Sequence, residues 1–90
     1  METKILHPYI TFRDDIGGGK PIIKGTRTRV SNIIAYYKLG YSPEELDREF
    51  PHLTLSKIYD ALSYYYEHQN EIDKEIDEDS EENVKQLFEK

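Results

Sequence analysis

Between residues 20 and 29 the chain carries four cations, Lys20, Lys24, Arg27 and Arg29, and the chemistry open to such a cluster is the neutralisation of phosphate. Gly25 lies among them and permits a sharp bend that presents Arg27 and Arg29 together; a solvated hairpin edge protected by its charges is the plainer account of the same residues. Just ahead, Gly17-Gly18-Gly19-Lys20 invites comparison with a phosphate-binding loop. That motif needs a glycine well before its last one, a serine or threonine after the lysine and a helix beyond, and here Asp14 and Pro21 occupy those two positions. A turn accounts better for the glycines. His7, His52 and His68 match no metal-ligand spacing, cysteine is absent, and no serine sits in a nucleophile turn. The carboxylates gather toward the C-terminus, where no apolar walls raise a pKa for acid–base work. The expectation is therefore a non-enzyme without metal or cofactor.

Charge is distributed unevenly. The net value is −6, but residues 1–40 hold seven Lys/Arg against three Asp/Glu, and residues 41–90 hold five against fifteen. A basic front can meet phosphate and an acidic back can meet a basic protein surface. From Glu67 onward ten acids face three lysines, with Ile72, Ile76, Val84, Leu87 and Phe88 scattered among them. Such a segment is either a solvated tail or a partner-binding one that orders on contact, its apolar residues acting as anchors. No window approaches the ~20 apolar residues of a membrane span, and nothing resembles a signal peptide or calls for an oxidising compartment. A cytoplasmic location fits these features, with no membrane partner.

The elements that must position the cations can be placed from periodicity. Ile10 and Phe12 alternate with polar residues, and Ile22-Ile23 form a second apolar run, so a small N-terminal β-hairpin or arm is expected with Asp15–Pro21 as its loop. Val30, Ile33, Ile34 and Tyr37 share one helical stripe that stops at Gly40. Ser42-Pro43-Glu44-Glu45 is a capping box with proline at the first helical position, opening a short helix that Pro51 ends. Leu53 plugs the turn and Thr54 caps a third helix with its stripe at Ile58, Leu62 and Tyr65. The stripe continues through Gln69, Ile72 and Ile76, which predicts that the third helix runs on past the body. A break is expected at residues 77–82, with Ser80 capping a last helix.

The short second helix, the Pro51-His52-Leu53 turn and the third helix have helix-turn-helix proportions, which puts Leu55, Ser56, Lys57, Tyr59 and Asp60 on a DNA-reading face. A plain three-helix bundle has the same apolar spacing and stands equally with it. Lys57 is the only basic residue in that first turn, so phosphate affinity would come largely from Lys20, Lys24, Arg27 and Arg29, and from a homodimer. Tyr64, Tyr65 and Tyr66 must face different sides of a helix, so at least one ring is expected in solvent.

One family shows this pattern. Gly18-Gly19-Lys20-Pro21-Ile22-Ile23-Lys24-Gly25-Thr26-Arg27 followed by Val30, then Leu39-Gly40-Tyr41-Ser42 with Glu44-Glu45-Leu46, then Phe50-Pro51-His52-Leu53-Thr54 and Ile58-Tyr59-Asp60-Ala61-Leu62, strongly resemble domain of unknown function 433 over about residues 8 to 68. The chain differs mildly at Thr28 and Arg29, where the family often has an apolar residue and proline. The resemblance implies a mainly α fold: a three-helix, homeodomain-like helix-turn-helix bundle over residues 1–68, preceded by the β element and followed by a helical extension over 69–90. It also implies a role similar to VapB-type antitoxins, which bind operator double-stranded DNA and silence a PIN-like ribonuclease toxin. On that expectation, deleting residues 69–90 abolishes toxin binding and leaves the domain folded. The alternative is a protein-interaction module or homo-oligomeric adaptor that never touches DNA, which the overall acidity favours.

Overall fold

The computed structural model describes residues 7–88, with side chains described for 7–79. Two antiparallel strands, β1 (Ile10–Arg13) and β2 (Ile16–Ile23), precede four helices, α1 (Val30–Lys38), α2 (Pro43–Glu49), α3 (Leu55–Glu67) and α4 (Gln69–Phe88). The fold is mainly helical with a small N-terminal sheet.

The hairpin turns at Asp14-Asp15, because Arg13 pairs directly with Ile16. The next pair is Phe12 with Pro21, so residues 17–20 bulge out of the ladder. This corrects the expected Asp15–Pro21 loop: the glycines form a bulge within β2, and Gly17, Gly18 and Gly19 all have positive φ (64°, 64° and 84°). Gly17 has a packing role as well, since a Cβ there would lie 3.3 Å from Cγ of Arg29. Gly17→Ala is expected to lower stability by about 1–2 kcal/mol through left-handed strain alone. A lower urea midpoint with an unchanged slope is the measurement that checks it.

Local signals set the first three helices. Glu45 N–H donates to Ser42 Oγ (3.2 Å) and Ser42 N–H to Glu45 Oε1 (2.9 Å), which closes the capping box, and Gly40 (φ 109°) follows the end of α1. Lys57 N–H donates to Thr54 Oγ1 at the start of α3. The buried stripes interlock with α1 at the centre, packed on β2, α2, α3 and α4. Ile23, Val30, Ile33, Ile34, Leu46, Leu53, Ile58, Ala61 and Leu62 form the core, and burial of this apolar surface is what holds the elements together. Tyr64 and Tyr65 are buried while Tyr66 is 55% exposed, as three successive helical positions require.

The largest departure from expectation comes after α3. That helix does not run on: His68 leaves helical geometry (φ −134°, ψ 40°) and α4 folds back onto α1. Ile72 is thereby 1% exposed and joins the core, whereas a straight helix would leave it in water. The extension expected from residue 69 thus begins as part of the folded body. The backbone of α4 also continues through residues 77–82, so Ser80 lies inside a helix and caps none. Among the described residues no helix is long and apolar enough to cross a membrane, and no group of residues is arranged to hold a metal ion.

Candidate functional site

The segment between β2 and α1 is compact. Thr26 N–H and its hydroxyl both donate to the carbonyl of Ile23 (3.0 and 2.9 Å), Thr28 N–H donates to Thr26 Oγ1 (3.0 Å), and Gly25 takes φ 81° to close the bend. Two ties fix this turn to the helices. The Thr28 hydroxyl shares a hydrogen bond of 2.7 Å with His52 Nε2 in the α2–α3 turn. Lys24 N–H donates to the carbonyl of Tyr9 (2.7 Å), and Tyr9 N–H donates to Asp60 Oδ2 on α3 (2.9 Å). Lys24 and Arg27 are both exposed on this turn, Lys24 tied through Tyr9 to Asp60 on α3 and Arg27 beside Arg13, Asp15 and Ile16 of the hairpin, while on α3 Ser56 and Tyr59 are exposed and Lys57 is half-buried. None of Lys24, Arg27 and Lys57 has an ion-pair partner among the described residues. Cations without a counter-charge are the groups able to neutralise phosphate.

Two expected members of that surface lie elsewhere. Arg29 bridges to Ile22 and sends its guanidinium to α4, with Nη2 3.1 Å from Glu75 Oε1 and Nη1 3.4 Å from Asp79 Oδ2. It does not stand with Arg27, because the bulge at Gly17 closes over its stem and the acids of α4 hold its head. Lys20 lines a cleft of about 320 Å³ with Phe12, Tyr64, Glu71, Lys74 and Glu78, on the α4 side of the hairpin. Asp60, expected on the reading face, is nine-tenths buried and holds the N-terminal arm.

Residues 10–65 match the family model for Protein of unknown function (DUF433). The chain belongs to that family. A crystal structure of a DUF433 member protein from Anabaena variabilis ATCC 29413 is similar to it at 32% identity and TM-score 0.71, over 79% of this chain and 70% of that one. No curated protein matches the sequence. The DUF433 match takes in the hairpin, the basic turn and the α2–α3 unit and stops before α4. Arg29 lies within the match, yet its guanidinium reaches the acidic helix beyond it.

On α4 of this DUF433 protein, the carboxylates divide into inward and outward sets. Glu75 is buried against Arg29, and Asp73 accepts from Lys38 Nζ (2.8 Å) and the Tyr65 hydroxyl (2.9 Å). The hydrogen bond from Lys38 draws the Asp73 carboxyl below its ordinary range and raises Lys38 in turn. Asp77 and Glu78 face solvent. Of the expected anchors, Ile72 is enclosed in the chain's own core and so unavailable to a partner, while Ile76 is half-buried against that core. The side chains of Val84, Leu87 and Phe88 lie outside the described ones. Sequence reasoning missed the contacts of His7 with Asp60 and Glu67, which no local spacing signals.

Proposed function

We propose that this protein is an antitoxin-type regulator. Its α2–turn–α3 unit acts as a homeodomain-like helix-turn-helix on operator double-stranded DNA as a homodimer, and α4 with the chain beyond it binds a PIN-like ribonuclease toxin. The observation that carries this reading is the separation of charge by element. The cations Lys24 and Arg27 on the β2–α1 turn and Lys57 in the first turn of α3 have no ion-pair partner among the described residues, whereas the solvent-facing carboxylates Asp77 and Glu78 sit on a helix packed against α1. A duplex and a basic protein surface could then be held at once by different faces.

Three cations per chain amount to about six neutralised phosphates per dimer, so log affinity for duplex DNA is expected to fall against log salt with a slope of about −5. Lys24→Glu with Arg27→Glu should abolish binding without loss of fold; Arg29 is left intact because reversing it would detach α4. A flat salt response would remove the DNA half of the proposal. For the toxin half, Asp77→Lys with Glu78→Lys is combined with co-expression of the neighbouring open reading frame. Rescue of growth by the parent and not by the variant is expected, and a harmless neighbour that does not co-purify would overturn it.

A specific feature favours the second reading, an adaptor without DNA. Leu55, Tyr59 and Tyr66 leave α3 an exposed, uncharged stripe of the kind that meets protein. Under that reading the Lys24/Arg27 reversal leaves every interaction intact.

A further inference from the structure

His7 stands between two carboxylates of α3: its Nδ1 is 2.9 Å from Asp60 Oδ1 and its Nε2 is 2.5 Å from Glu67 Oε1. The imidazole is enclosed, with 11% of its side chain exposed, and lies edge-on to the ring of Tyr64 at 5.2 Å. Tyr64 in turn stacks on His68, whose Nδ1 is 3.2 Å from Glu71 Oε1 at the start of α4. The groups that face His7 are thus Asp60, Tyr64 and Glu67 on α3, with His68 and Glu71 behind Tyr64. A neutral imidazole has one N–H, and two carboxylates on opposite sides of the ring ask for two. Only the imidazolium satisfies both.

The same carboxylate of Asp60 that binds His7 through one oxygen accepts Tyr9 N–H through the other, and the Tyr9 carbonyl accepts Lys24 N–H. We propose that His7 is a proton-operated latch: as the imidazolium it locks the arm onto α3 and so fixes Tyr9 and Lys24, and on losing its proton it releases that edge of the basic surface. The latch belongs to the chain itself and is independent of any ligand of that surface.

The sign is set by the surroundings. Burial opposes the charge on His7, but the hydrogen bonds to Glu67 and Asp60 and their negative charges outweigh it and raise the group above its ordinary 6.5. A group raised in the folded state contributes its full stabilisation below the unfolded value and loses it as pH rises through the folded value. The latch is therefore closed in mild acid and opens on the alkaline side of 6.5.

The test is carried out on the full chain by NMR, following the His7 ring protons and the exchange protection of the Tyr9 and Lys24 amides from about pH 6 to about pH 9, a range that spans the ordinary histidine value. His7 is expected to titrate above 6.5, with both amides losing about tenfold in protection for each unit by which its midpoint is raised. Glu67→Gln keeps an acceptor, removes a charge and should move the midpoint down; His7→Gln should make both protections independent of pH in this window. A His7 midpoint at or below 6.5, amide protections indifferent to its titration, or identical midpoints in the parent and Glu67→Gln would each overturn the latch.

Discussion

A chain ended after His68 is expected to lose its cooperative fold, although the acidity of residues 69–90 suggests a dispensable tail. Such a chain lacks Ile72, which is enclosed at the centre of the core, and leaves the face of α1 that α4 covers open to water. It also strands the guanidinium of Arg29, whose Nε is already buried without a partner among the described residues, and removes Asp73 from Lys38 and Tyr65. Full burial of one large aliphatic side chain is worth about 1.5–3 kcal/mol before any cavity is counted. With the ion pairs added, the loss is on the order of 5 kcal/mol, comparable to the whole stability of a small domain. Circular dichroism should show no cooperative thermal transition for residues 1–68, and a cooperative melt matching the parent would show that α4 does not belong to the core. Mapping of a partner site on the C-terminal segment should therefore use surface substitutions.

Arg29→Ala is expected to lower stability by about 3 kcal/mol, because it leaves Glu75 buried without its counter-charge. The value sits at the lower end for breaking a buried pair, since Arg29 and Asp79 keep 23% and 44% of their side-chain exposure. The damage should concentrate in α4, where amide exchange accelerates ahead of α1–α3. Replacing both partners, Arg29→Met with Glu75→Leu, should recover most of the loss, because no uncompensated buried charge then remains and Asp79 keeps 44% of its side-chain exposure. Equal melting of the parent and Arg29→Ala would mean that the pair contributes nothing.

How far these contacts could be read in advance depended on their range. The capping box at Ser42 and Glu45, the Thr54 cap and the stop at Gly40 involve residues within a turn of one another, so residue type announced them. The break at His68 was hidden because the steps from Tyr65 to Gln69, Ile72 and Ile76 suit a straight helix as well as a bent one. The bend goes with burial of Ile72 in the core and packing of α4 on α1, a tertiary fact. The glycine bulge was hidden for a similar reason: three glycines allow a loop, and only pairing of Arg13 with Ile16 turns them into an interruption of a strand. At the candidate site, Lys24 and Arg27 on the turn and Ser56, Lys57 and Tyr59 on α3 are legible as types. Arg29 looks identical to its neighbours in the sequence, and its partners stand 46 and 50 residues away. The His7 latch spans 53 and 60 residues and left no trace in any local window.

The position of Ile72 and Glu75 near the end of the described fold also orders events in time. A polypeptide is made from its N-terminus, and contacts that close long loops form after local ones. Local turns of the hairpin and of α1–α3 can form first, but one flank of α1 stays greasy and one arginine stays unanswered until the acidic helix docks. During that interval the chain exposes its stickiest surface, so the docking of α4 is the step at which aggregation competes with folding.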